Sequence, residues 1–456
     1  MTQDWNPIQR RHFLKMATTA VGGLGIYPAL SMAAEAFEGH PLAPKKPHFD
    51  PKAENLILIF LTGGFSHIDT FDPKPELNKR HGQKDNHGTL IGSQFKFEHA
   101  GQCGMPISEL FTHMRGVADD LCVIRTLHTD IGDHFQATLA MHTGSPTVPL
   151  PSIGAWMSYG LGTKNPNLPA YMVLCEHLPY TGAQVWDSSF LPPFHQGVRI
   201  EPGDNPVRDL KSTARNATLQ ELEREMLRDV NRLHAEARPG DLNLTGRMTS
   251  FDIAQGMMRE APKVFDLSEE KDKTLEKYGL ERGDNKSFAW QCLVARRLVE
   301  SGVRVVQLVD TGASNNWDAH GNMEDHRKKA ERVDQPIAAL IADLKQRGSL
   351  DKTLIALCTE FGRTPWADGS SIKGRSHHSP AFTCLLAGAG VKGGTIYGET
   401  DDIGAGIVSN GVHVHDYHAT ILHLMGFDHE KLTYRYAGRD FRLTDVHGNV
   451  VKDVLS

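Results

Sequence analysis

"NLILIFLT", residues 55–62, is the stretch whose reading decides the fold. It is apolar without a break from Leu56 to Leu61, and Gly63-Gly64 end it. A short apolar run bounded by turn residues reads as a strand buried on both faces, as in a parallel sheet with helices over each side. Working outward, Leu121–Ile124, Ala170–Leu174, Val303–Val309, Thr353–Cys358 and Phe382–Leu386 read as further strands. Helical patterns separate them. Thr218 is the expected N-cap of a helix over Leu219–Ala235, with Glu221 completing a capping box. Ser287–Glu300 and Val333–Arg347 carry two more, and Asp416 is expected to cap a last one that ends at Gly426. Strands alternating with helices predict an α/β fold: a central, mostly parallel sheet with helices on both faces. In such sheets ligands bind beyond the carboxyl ends of the strands.

Composition narrows the function. The chain has 456 residues, 39% hydrophobic and 23% charged, with a net charge of −6. No basic excess exists to neutralise phosphates, which excludes a general nucleic-acid binder. The 24 histidines cluster near strand ends, and neutral imidazole is the commonest metal ligand. The six cysteines form no CxxC pair, which argues against a zinc–thiolate site, and Cys358 and Cys384 read as buried small hydrophobes. At the N-terminus, Arg10-Arg11-His12-Phe13-Leu14-Lys15 resembles a twin-arginine export signal. A Gly/Ala-rich stretch to Leu30 and a small-residue site at Ala34-Glu35-Ala36 follow it. The expected organisation is a signal peptide over 1–36, a Pro-rich linker over 37–54 and one domain over 55–456. Within that domain, 207–300 is a charged helical insertion. The expected location is the periplasm or another exported compartment, reached through the twin-arginine translocase, with no membrane span after processing.

The polar motifs fall after the strands. "LTGGFSHIDTFDPKP", residues 61–75, offers His67 and Asp69 as metal ligands. "DHFQATLAMHTG", 133–144, reads as a helix capped by Asp133, with His134 in its first turn, where free backbone N–H groups favour an anion. "NNWDAHGNMEDH", 315–326, carries Asp318 and His320, two apart and so on one face of an extended segment. "ALCTEFGRTPW", 356–366, ends a buried strand on Glu360, a costly place for a charge unless it is paired, protonated or metal-bound. "GRSHHSP", 374–380, adds Arg375, His377 and His378; adjacent side chains diverge, so one histidine is expected to ligate and the other to face substrate. Arg363 or Arg375 is the candidate clamp for an oxyanion. "HVHDYHATILHLMGFDH", 413–429, has a metal-like HxH, but its apolar, well-capped helix favours a structural role.

Three stretches together carry a family resemblance: "FLTGGFSHIDTFDPKP", "ARRLVESGVRVVQLVDTG…WDAHGN" and "RGSLDKTLIALCTEFGRTP…GRSHHSP…LAGAGVKGGTIYGETD". The chain is identified on them as a member of the domain of unknown function 1501 family, over nearly all of residues 50–456. That family is placed near the alkaline phosphatase and sulfatase superfamily, which implies an alkaline phosphatase-like sheet with a metal site at its carboxyl edge. The superfamily's strand-ending D-H-G resembles Glu360-Phe361-Gly362, so Glu360 keeps a carboxylate ligand and Phe361 cannot ligate. Asp318 and His320 resemble an upstream ligand pair, and His377 or His378 a late one. His134 stands where the alkaline phosphatase serine stands, and Thr62 where a ligand aspartate is usual. No C-x-P-S-R sulfatase motif is present.

The leading expectation is an exported hydrolase of a phosphate or sulfate ester, on a small molecule or glycan. One or two divalent ions (zinc, manganese or calcium) would be held by Asp318, His320, Glu360 and His377 or His378. His134 is the expected base or, as the second choice, a covalent nucleophile. The alternatives are a degenerate superfamily member that binds a sulfated or phosphorylated glycan or a partner protein without turnover, and a structural exported protein.

Overall fold

The structure is a computed structural model that describes residues 40–207, 216–369 and 372–456; the expected signal over 1–36 lies outside them. Strand β1 (Asn55–Leu61) is buried along its whole length. Its side chains alternate between two cores: Leu56, Leu58 and Phe60 face one, Ile57, Ile59 and Leu61 the other. A strand with two dry faces needs cover on both, which is why its sequence shows no polar alternation.

The other strands of the sheet are β2 (Leu121–His128), β3 (Tyr171–Cys175), β4 (Val198–Ile200), β5 (Val305–Asp310) and β6 (Thr353–Cys358). β7 (Gly362–Ala367) and β8 (Arg375–His378) form a separate antiparallel hairpin. β9 (Phe382–Gly388), β10 (Thr395–Tyr397) and β11 (Val412–His413) return to the sheet. Among the described residues the sheet has nine strands in the order β10-β2-β9-β6-β1-β5-β3-β4, with β11 also on β2. β1 runs parallel to β5 and β6, and β3 to β4 and β5. β9 alone runs against its neighbours β6 and β2, so the sheet is mostly parallel, as expected.

Among the described residues the α-helices are α1 (His67–Thr70), α2 (His134–Thr143), α3 (Ile153–Leu161), α4 (Ala217–Glu236), α5 (Leu242–Phe265), α6 (Asp272–Tyr278), α7 (Phe288–Glu300), α8 (Asp325–Gln346) and α9 (Val414–Leu424), and a further short helix covers Pro75–Lys79. α7 and α8 cover one face through residues such as Leu293 and Leu340. α3 and α9 cover the other through Trp156 and Ile421. The register places Leu61 beside Asp310 and Phe60 beside Cys358, so β1, β5 and β6 end at one edge.

Several expectations are corrected. Asn216, not Thr218, caps α4, its side chain accepting from Leu219 N–H. α8 starts at Asp325 rather than Val333 and runs through Pro336. His413 caps α9, and Asp416 supplies the return half of the capping box. The Pro-rich stretch from residue 40 is packed rather than free: Leu42 is buried, and the Lys45 and Lys52 amides bond to the Leu161 and Leu424 carbonyls. All six cysteines are free thiols. α4 turns Arg224 and Arg228 towards Met258 and Gln255 of α5, and leaves Leu222 and Met226 outward, the latter 71% exposed. Among the described residues no helix is long and apolar enough to cross a membrane.

Candidate metal centre

The carboxyl ends of β1, β5 and β6 release three loops into one place. After β1, Gly63 has φ +110, and a Cβ there would lie 2.7 Å from the amides of Trp317 and Asp318. Only glycine lets the two loops pass so closely. Trp317 N–H donates to the Thr62 carbonyl at 3.0 Å, and its indole N–H to Asp310 Oδ2 at 3.0 Å, which fixes the backbone that carries Asp318. Gly374 does the same for His320, whose carbonyl oxygen would lie 1.7 Å from an added Cβ. α2 starts at the same edge: Asp133 caps it through Phe135 and Gln136 N–H, and His134 heads its first turn.

Asp318 Oδ1 is the centre of the cluster. It lies 2.8 Å from His320 Nε2, 3.2 Å from His134 Nε2, 3.3 Å from His377 Nε2 and 2.6 Å from Arg363 Nη2. The far side of each ring is anchored. His134 Nδ1 lies 2.7 Å from Glu360 Oε1, His320 Nδ1 2.5 Å from Asp368 Oδ2, and His377 Nδ1 2.8 Å from the Gly132 carbonyl. Carbonyl and carboxylate oxygens only accept, so in the neutral tautomers each Nδ1 carries the proton and each Nε2 is a bare lone pair. Three lone pairs then face one ionised oxygen. His320 and His377 Nε2 are 3.1 Å apart, and among the described residues the buried His134 Nε2 makes no well-formed hydrogen bond, with Asp318 Oδ1 lying 3.2 Å from it. This is the pattern of metal-ligating histidines, whose second nitrogen donates to a carboxylate or carbonyl.

Electrostatics agree. Burial works against ionising Asp318, but His134, His377 and Arg363 outweigh it and hold its carboxyl well below the usual range. Burial also opposes charging His134, yet Asp318 and Glu360 raise its pKa to about 9. The ring therefore holds a proton between two carboxylates or exchanges it for a cation at Nε2. Glu360 is fully buried and held by Gly63 N–H at 2.8 Å and the Thr359 hydroxyl at 2.9 Å. Its carboxylate reaches the cluster through His134.

Other expected residues lie elsewhere. Asp69 is fully buried on Arg375 Nε at 2.8 Å and on the Ser66 hydroxyl at 2.6 Å. His67 Nε2 bonds to the Gly404 carbonyl and His378 Nε2 to the Ala405 carbonyl, the two rings stacking at 5.8 Å. His67, Asp69 and His378 are thus not brought to Asp318. Extended-chain alternation in β8 sends His377 towards Asp318 and His378 the other way. The expected clamp is corrected too. Arg363 is committed to the Gly63 and Gly64 carbonyls and Asp318, and Arg375 to Asp69 and the Thr364 carbonyl; both are fully buried.

Two residues had no sequence signal. Asp368 orients His320 from a hairpin that the sequence reading did not contain. Tyr180 stacks on His134 at 4.3 Å, while its hydroxyl accepts from Asn316 Nδ2 at 2.9 Å. Burial pushes the Tyr180 phenol up to about 12, so it keeps its proton at neutral pH.

The donor set of three imidazoles and a carboxylate fits a transition metal. It does not fit calcium, which takes oxygen ligands throughout. A group of His134, Asp318 and His377 places its ligand atoms within 4.8 Å of one another.

No curated protein matches the sequence. Solved structures similar to the chain include Ps i-CgsB in complex with k-i-k-neocarrahexaose, at 11% identity and TM-score 0.38, covering 82% of this chain and 72% of that one. The PsFucS1 sulfatase from Pseudoalteromonas sp. follows at 12% and 0.36, covering 89% and 73%. A TAB5 alkaline phosphatase mutant with Mg bound stands at 13% and 0.34, covering 84% and 100%. Likeness at this level says nothing of the chemistry at Asp318. The family model described as "Protein of unknown function (DUF1501)" matches residues 53–455. That span takes in every strand of the central sheet and the whole histidine–carboxylate cluster, and the chain belongs to the DUF1501 family.

Proposed function

We propose that the protein is an exported, metal-dependent hydrolase of a phosphate or sulfate ester. The observation that carries this reading is the meeting of three Nε2 atoms on Asp318 Oδ1, each with its Nδ1 anchored. Asp318, His320, His377 and His134 would hold one divalent transition-metal ion, zinc or manganese. Such an ion supplies Lewis acidity and a water of lowered pKa. The protein's own groups do the rest. Asp368 and the Gly132 carbonyl orient two rings, Glu360 orients the third, and Arg363 offsets the charge on Asp318. Tyr180 presents a phenolic proton beside His134, suited to hydrogen-bond an oxygen of a bound ester. The resemblance of 10–15 to a twin-arginine signal supports export.

The test is metal analysis of protein purified without chelator, followed by assays on aryl phosphates and aryl sulfates. The expected result is about one equivalent of metal and measurable turnover, both lost in Asp318→Ala. Absence of stoichiometric metal in the wild type would overturn the reading. A second reading, a binder of an anionic glycan or a partner protein without turnover, has one observation in its favour: both candidate clamp arginines are buried and occupied. Stoichiometric metal with no turnover of either ester class would select it.

A further inference from the structure

A cavity of about 500 Å³ opens beside the cluster, between the loops after β3 and β5, the start of α7 and the middle of α8. Sites for small ligands run to ~300–1,000 Å³. Its walls mix apolar surface, from Tyr278 and Phe288, with charges of both signs. Glu176 and Glu331 bring carboxylates, Lys286 and Arg332 bring cations, and Asn315 and His177 bring an amide and an imidazole. Arg332 is already anchored, its Nη2 donating to Asp310 Oδ1 at 3.0 Å. Asn315 accepts from Lys329 through Oδ1, which leaves its NH2 group to donate.

That lining selects among ligands. A simple anion is repelled by Glu176 and Glu331. An organic cation meets Lys286 and Arg332. An apolar ligand strips water from all four without replacing the lost hydrogen bonds. A ligand with many neutral hydroxyls satisfies both signs: the carboxylates accept from its O–H groups, and the amide and cations donate to its oxygens. We infer that this cavity is a carbohydrate-binding site that takes one sugar unit of a glycan.

The cavity shares a wall with the metal-ligating cluster. Asn315 lines it, and the next residue, Asn316, donates to Tyr180 and accepts Asp318 N–H at 3.1 Å. Ala313 N–H on the Leu178 carbonyl, at 3.0 Å, ties the two loops of that wall together. A glycan seated in the cavity is therefore held one loop's thickness from Asp318. The inference goes beyond the ester reading and stands without it.

The experiment is saturation-transfer NMR on the folded wild-type protein, with methyl galactoside and methyl glucoside as probes. The expected result is transfer to at least one of them. Glu331→Ala and Lys286→Ala, both changes of exposed side chains, should each weaken it about tenfold, the loss of roughly one good hydrogen bond. Met226→Lys, on the outward face of α4 and outside both the cluster and the cavity lining, should leave it unchanged. Sugar binding by a wild type that hydrolyses neither ester class would bring down the ester reading alone. No transfer to either probe, or transfer that survives the Glu331→Ala/Lys286→Ala double variant with native circular dichroism, would overturn the inference.

Discussion

Asp318 Oδ1 accepts contact from four nitrogens within 3.3 Å, and three of them belong to rings whose other nitrogen is tied down. Removing one tie is the sharpest test at the scale of a residue. Asp368→Ala frees His320 Nδ1 without touching a core, so metal affinity should fall by about 10–100-fold with the fold intact. A zinc titration against wild type reads it, and an unchanged affinity would show that His320 does not ligate. Gly63→Ala is the backbone counterpart. Its φ of +110 disfavours any side chain, and the added Cβ would meet the Trp317 and Asp318 amides at 2.7 Å. We expect a loss of about 1–3 kcal/mol in a denaturant titration, together with weaker metal binding, because the loop that must yield is the one carrying Asp318.

Elements explain why the cluster forms at a sheet edge. β1 is dry on both faces and cannot shift by one residue without moving Leu58 and Phe60 out of one core and Ile59 out of the other. Ile59→Ala should destabilise by about 2–5 kcal/mol, read from its denaturation midpoint. α4 makes the opposite prediction. Its apolar residues face outward, with Met226 71% exposed, so Met226→Lys should change stability by no more than about 0.5 kcal/mol. A large drop in melting temperature would show that this face is covered in solution. α2 shows how an element carries chemistry: its Asp133 cap fixes where the helix starts, and so fixes His134.

Across the whole molecule, buried neutral histidines set the response to acid. Burial lowers His142 to about 4, outweighing its bond to the Thr138 carbonyl, and lowers His195, His326 and His418 to about 3. These folded-state values lie below the ordinary histidine pKa of about 6.5. The unfolded chain therefore binds protons first as pH falls, and each ring's contribution, complete above about 6.5, is lost progressively down to about 3–4. Melting temperatures measured from pH 7 to pH 4 should fall steadily, and His418→Gln should flatten the slope. A flat profile would mean that these rings titrate like exposed ones.

Continuous apolar runs are local facts, and they determined the sheet, its mostly parallel character and the edge at which Asp318, His320, Glu360 and His377 emerge. Glu360 was legible because a charge at the end of a buried strand requires a partner, and the partner proved to be His134. The start of α8 was not legible: its first turns, Asp325 to Glu331, are almost wholly polar, and Val333 is the first large apolar residue to mark a helix. Which of two adjacent histidines faces Asp318 depends on the twist of a short hairpin, and a hairpin's register depends on its partner strand. Asp368 and Tyr180 reach the cluster from loops far away in sequence, so no spacing announces them. Arg363 and Arg375 looked like clamps because the sequence shows a guanidinium but not the carbonyls and carboxylate already bonded to it. Sequence fixes periodicity and chain order; the pairing of distant groups is decided only when the chain closes upon itself.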